Sequence, residues 1–143
     1  MRRFWLVFLI VILIAGFYGW QNGPQWLASW NSGQQEMVDQ HRAAGTAFGR
    51  ENDQQGCFSS ALERLESCQE TEYKCTVSSG LYLRACWHES LTSERFCDEV
   101  PAFTESPSED DKAWIKERCF ELGATAKGCR ILIKQKMQLC SNG

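Results

Sequence analysis

The chain reads as an all-α protein: an N-terminal single transmembrane helix plus a small disulfide-stapled domain of antiparallel helical hairpins, about four helices. Three observations predict this architecture. An uninterrupted apolar run, FWLVFLIVILIAGFYGW, fills residues 4–20 of the 143. Eight cysteines, an even number, all fall between Cys57 and Cys140, in a stretch too short to bury a large core. From Asp53 onward, apolar residues recur at intervals of three and four, as on the buried face of a helix.

The run 4–20 is the expected membrane anchor. Seventeen residues rise about 25 Å, a little under the ~30 Å hydrocarbon core, and Trp5 and Trp20 flank the run as interfacial aromatics do. Arg2 and Arg3 are the only charges before it, and none follows until Glu36. That asymmetry places residues 1–3 in the cytoplasm as a stub and the remainder outside. A cleaved signal peptide is the competing reading, and it requires small residues at the last and third-last positions before the cut. A cut after Gly16 leaves Ile14 at the third-last position, and one after Gly19 leaves Phe17 there, so the uncleaved anchor is preferred. Either reading exports the chain.

Residues 21–52 read as a juxtamembrane collar and stalk. QNGPQWLASWNSGQQ is uncharged and carries Trp26 and Trp30 four apart, on one face of a short helix at the membrane interface. EMVDQHRAAGTAFGREND is sparse in apolar residues and holds glycines at 45 and 49, so it is expected to be a partly helical stalk.

Residues 53–143 form the disulfide-rich helical domain. In its first helix, Cys57, Ala61, Leu62, Leu65 and Cys68 share a face. Thr71 caps a second helix that runs to about Trp87, with Cys75, Ser79, Tyr82 and Cys86 on one side. Tyr73, Val77, Leu81 and Trp87 lie on the opposite side, so this helix is expected to be the central helix of the domain, or else to use one flank to bind a partner. Ser93 can cap a short helix through Phe96 and Cys97, ended by Pro101. Ser108 and Asp111 occupy capping-box positions for a third helix, carrying Trp114, Ile115, Cys119 and Leu122 and closed by Gly123. A fourth helix sets Cys129, Leu132, Ile133, Met137 and Cys140 on one stripe.

The cysteine spacing specifies how these helices pair. Cys57 and Cys68 are separated by ten residues, Cys68 and Cys75 by six, Cys75 and Cys86 by ten. Eleven steps along a helix amount to about three turns, so each within-helix pair shares a face some 16 Å apart and cannot bond to itself. In an antiparallel hairpin, setting Cys68 against Cys75 also sets Cys57 against Cys86. The same reasoning pairs Cys119 with Cys129 across the Gly123 turn and leaves Cys97 for Cys140, one choice among the 105 that eight cysteines allow. Each bridge is expected to add about 2–4 kcal/mol, mainly by restricting the unfolded chain.

This spacing is similar to the twin-cysteine helical hairpins of the coiled-coil-helix-coiled-coil-helix family, whose paired cysteines have nine residues between them. Only Cys119 to Cys129 has that separation here, and the likeness covers about thirty residues, without a shared motif. It implies a second oxidising location, the mitochondrial intermembrane space, beside the bacterial periplasm.

Site chemistry is sparse. The cysteines lack the close C-x2-C or H-x3-H pairs of zinc sites, the C-x-x-C of thiol exchange and the C-x-x-C-H of haem attachment. His41 and His88 are the only histidines, and His88 ends a helix, where capping and surface roles predominate. No nucleophile elbow, zincin or phosphate-loop motif occurs. The acids of ESPSEDD, 105–111, mostly precede the third helix and complement its dipole. Lys127, Arg130, Lys134 and Lys136 read mainly as a solvent face of the fourth helix. The net charge of −3 becomes −5 once Arg2 and Arg3 are set aside, which argues against nucleic acid or an anionic membrane as the main partner.

The expected function is accordingly a non-enzymatic, membrane-anchored binding or scaffold module, an accessory or assembly subunit of an envelope or inner-membrane complex. It is expected to use no metal and no cofactor, to meet the membrane through residues 4–20, and to meet a protein partner through Tyr73, Val77, Leu81 and Trp87. The expected compartment is the bacterial periplasm, ahead of the intermembrane space or the extracellular medium. The alternative is a redox-active or sensor protein in which Cys97–Cys140 is labile.

Overall fold

The computed structural model describes residues 2–142, except for the side chains of 2, 3, 6, 22, 23, 26 and 30. It contains five helices: α1 (Arg2–Gly49), α2 (Gln54–Glu66), α3 (Glu72–Glu89), α4 (Glu109–Glu121) and α5 (Cys129–Asn142). No strand occurs among the described residues, only an isolated parallel bridge between Asp53 and Leu91. Two compact units result, residues 1–37 and residues 38–143.

The first unit corrects the expected membrane anchor. Among the described residues, no helix is long and apolar enough to cross a membrane. Residues 4–20 belong to α1, a helix of 48 residues that continues through Pro24 into polar sequence. The apolar run 4–20 rises about 25 Å, short of a ~30 Å hydrocarbon core, and the residues that extend the helix beyond it, from Gln21 on, are largely polar. Single-pass topology is therefore unsupported. Trp5 and Trp20 are 65 % and 81 % exposed. The side chains of Trp26 and Trp30, and those of the expected stub 1–3, lie outside the described residues.

In the second unit, the last turns of α1 lie against α3. Gly45 and Gly49, four apart and so on one face, are both buried. A Cβ built at Gly45 would collide with the Tyr82 carbonyl, and one at Gly49 with the Cys86 carbonyl. Glycine is thus what permits backbone contact between the helices, at positions the sequence assigns to a stalk.

α2 and α3 form the expected antiparallel hairpin. Asp53 caps α2 by accepting the Gly56 N–H at 2.7 Å, and Thr71 caps α3 by accepting from Lys74 N–H at 3.4 Å. Cys57, Phe58, Ala61 and Leu65 of α2 meet Tyr82, Leu83 and Cys86 of α3 in a core completed by Ile115, Leu132, Ile133 and Met137. Tyr82 is buried, and its hydroxyl hydrogen-bonds the Ser60 hydroxyl at 3.0 Å.

The short helix expected after Ser93 is absent; residues 94–99 form turns. Arg95 and Glu99 adopt φ of 66° and 57°, which a right-handed helix excludes. Ser93 instead serves the start of α2, accepting from Gln55 N–H at 3.0 Å and donating its own N–H to Gln54 Oε1 at 3.2 Å. Ser108 and Asp111 make the reciprocal capping box of α4. Gly123, at φ 64°, ends α4 in a Schellman arrangement, with Ala124 N–H donating to Cys119 O and Gly123 N–H to Phe120 O.

Candidate functional site

Four disulfides fix the second unit: Cys57–Cys86, Cys68–Cys75, Cys97–Cys140 and Cys119–Cys129, with no free cysteine among the described residues. Helical spacing predicts Cys57–Cys86, Cys68–Cys75 and Cys119–Cys129, and Cys97–Cys140 is the pair it leaves over. Their number indicates an oxidising, extracytoplasmic compartment. Accessibility separates them: Cys57 and Cys86 have no exposed surface and Cys129 has 1 %, whereas Cys97 is exposed and Cys140 half-buried.

On this frame, α3 and α5 lie side by side in the same direction. Glu72 pairs with Lys127 at one end (3.6 Å), and Gln135 Nε2 donates to the Gly80 carbonyl at 2.8 Å further along. Between the helices runs an open trough. Its first half, about 680 Å³, is lined by Tyr73, Val77, Gly80 and Leu81 of α3 and by Ile131 of α5. A second half of about 470 Å³ shares Arg84, Ile131 and Gln135 with the first and adds His88, Lys134 and Phe103. A narrower hollow on the far flank of α3, about 360 Å³, again includes Leu81, Arg84 and His88, together with Arg42. Tyr73 and Ile131 are 77 % and 57 % exposed, so the apolar surface is open to solvent.

Three of the four residues expected on the partner face, Tyr73, Val77 and Leu81, line this trough. Trp87 does not; its ring lies 5.5 Å from that of Phe96 and packs against the core. Six residues past Leu81 the helix has turned about 240°, which carries Trp87 off the stripe, whereas steps of three and seven bring Arg84 and His88 back onto it. The α5 wall, Ile131, Lys134 and Gln135, was legible only as part of an amphipathic helix, because nothing local in the sequence says which helix stands beside it.

The bases of α5 divide. Lys127 and Arg130 are exposed, and Lys134 lines the trough. Lys136 is instead half-buried, with Nζ 3.8 Å from the Phe96 ring centre and 5.6 Å from that of Phe58. Desolvation, and secondarily the Arg118 charge, lowers its pKa. Among the described residues, no group of three or more His, Cys, Asp or Glu is arranged to hold a metal ion.

No protein-family model, curated protein or solved structure matches this chain.

Proposed function

We propose that this chain is a non-enzymatic binding or scaffold module, an accessory or assembly subunit of an envelope complex in an oxidising compartment, the bacterial periplasm. The observation that carries the reading is the α3–α5 trough. It is an apolar, solvent-open groove on a domain whose helices are stapled into fixed positions, and pre-organised surface of this kind binds with a smaller loss of conformational freedom. Native mass analysis of the disulfide-intact chain, purified gently from its own cells, tests it. Stoichiometric partner protein is expected, with Leu81→Asp or Tyr73→Ser releasing it; a chain that is monomeric and unaccompanied under all extraction conditions overturns the reading.

A second reading, a redox-active or sensor protein, is favoured by one observation, the exposure of Cys97 beside three better-buried bridges. It requires that Cys97–Cys140 open alone at a physiological thiol potential while the others persist. Thiol trapping across a graded redox buffer distinguishes it from purely structural stapling.

A further inference from the structure

We infer that the occupant of the α3–α5 trough is an acidic amphipathic helix of a partner protein. Its apolar stripe would lie on Val77, Leu81 and Ile131 and its carboxylates over Arg84 and Lys134. This rests on the binding-module reading and names the partner's chemistry.

Charge complementarity is the first argument. The acids around the trough are already engaged: Glu72 pairs with Lys127 at 3.6 Å and Glu89 with Arg50 at 3.5 Å. Arg84 and Lys134 have no ion pair among the described residues, although both line the trough and Arg84 faces the adjoining hollow as well. An apolar surface that ends in two uncompensated cations selects a ligand that is apolar along one part and anionic at the other.

Shape and hydrogen bonding make that ligand a helix. The trough follows α3 from Tyr73 to His88, about 22 Å at helical rise, the length of a four-turn helix. Gly80 supplies no side chain to its floor, and the Gly80 carbonyl is already satisfied by Gln135 at 2.8 Å. The α3 and α5 backbones are likewise committed to their own helices, so an extended strand would find no edge to pair with, whereas a helix satisfies its own backbone. The trough is open along its length, unlike the enclosed sites that bury most of a small molecule.

The test is a displayed library of helical peptides of about 15 residues. An apolar stripe at i, i+3, i+4 and i+7 is fixed and the flanking positions are randomised. Selection is made against the full-length, disulfide-intact chain. Selected peptides are expected to be enriched in Asp and Glu beside one end of the stripe. They should bind the Arg84→Glu/Lys134→Glu variant about tenfold more weakly, and peptides with those acids changed to Lys should regain affinity for it. Peptides that depend on Leu81 and Tyr73 but carry no acidic enrichment, or that ignore the charge reversal, overturn the acidic helix and leave the binding module standing. If no peptide depends on Leu81 or Tyr73, both readings fall. Phosphatidylglycerol vesicles provide the competing probe: sedimentation of the chain with them through Arg84 and Lys134, with no peptide selected, assigns the cations to a lipid surface and overturns the inference.

Discussion

The ammonium of Lys136 stands 3.8 Å from the centre of the Phe96 ring, on the same stretch of α5 that lines the core. Phe96 also meets Phe58 and Trp87, so one lysine covers an aromatic cluster under the 91–103 segment. Burial first, and the Arg118 charge second, pull its pKa below 10.5. The folded chain therefore sheds this proton at lower pH than the unfolded chain. Between the lowered value and 10.5 the unfolded state holds more protons, so this group makes stability rise with pH through that window and nowhere else. Lys136→Met keeps the stem against the rings and removes the charge. Urea melts at a series of pH values should lose that alkaline rise, with a change within about 1 kcal/mol at neutral pH, where lost cation–π attraction opposes relieved desolvation. Parallel profiles for the two proteins would refute the account.

Contact between α1 and α3 depends on the absence of two side chains. A Cβ at Gly49 meets the carbonyl of Cys86, a residue tied to Cys57 and unable to retreat. Gly49→Ala should destabilise the second unit by about 1–3 kcal/mol despite alanine's better helix propensity. Gly33→Ala, where the added carbon meets nothing within 4 Å, should be neutral or stabilising by up to about 1 kcal/mol. Denaturant midpoints of the two variants check the contrast, and equal effects would remove the close-approach explanation.

Glu66 ties the end of α2 to the segment before α5. Its carboxylate accepts from the Ala126 N–H at 2.9 Å and from the Thr125 hydroxyl at 2.8 Å. The Ala126 bond leads in lowering its pKa from 4.5, against a smaller opposing effect of desolvation. Because the folded value is the lower one, the stability contributed is complete above 4.5 and disappears as pH falls through the folded value. The group is exposed, so solvent screens the effect and it remains small. Glu66→Gln should lower the urea midpoint at neutral pH, and the gap from the unmutated chain should close in acid. A gap of constant size would show that the carboxylate's charge is irrelevant.

What the sequence made legible was what is local or periodic. Helix limits followed from Thr71, Ser108 and Gly123, whose partners lie within a few residues. The register of α2 on α3 followed from Cys57, Cys68, Cys75 and Cys86, because two equal spacings on antiparallel helices leave little freedom. Long-range relationships stayed hidden. Ser93 carries a cap residue's side chain, but its partner, Gln55, is 38 residues away at the start of another helix. Gly45 and Gly49 carry no sign distinguishing a hinge from a close approach, since the Tyr82 and Cys86 carbonyls they meet belong to a distant helix. Arg84 and Lys134 come together only through the α3–α5 packing. The anchor expectation failed for a different reason: the aromatic and charge flanks of residues 4–20 suggested a span, but among the described residues no helix is long and apolar enough to cross a membrane.

The bridges should not open together. Cys57–Cys86 lies wholly inside the core, Cys119 and Cys129 are 7 % and 1 % exposed, and Cys75 is 4 % exposed beside a half-buried Cys68. Cys97–Cys140 is the most accessible, and a thiolate must reach a sulfur before exchange begins. Under rising reductant, alkylation followed by peptide mass analysis should mark Cys97 and Cys140 first and Cys57 and Cys86 last. Opening that bridge removes the covalent tie between the stretch after Cys97 and the end of α5, and with it support for Phe103, whose N–H is held there by the Ser141 hydroxyl at 2.9 Å and which lines the cationic half of the trough. Selective reduction should therefore weaken peptide binding at the Arg84 end while leaving the α2–α3 hairpin folded. Simultaneous labelling of all eight cysteines would mean that the domain opens globally and that Cys97–Cys140 has no independent part in the trough's chemistry.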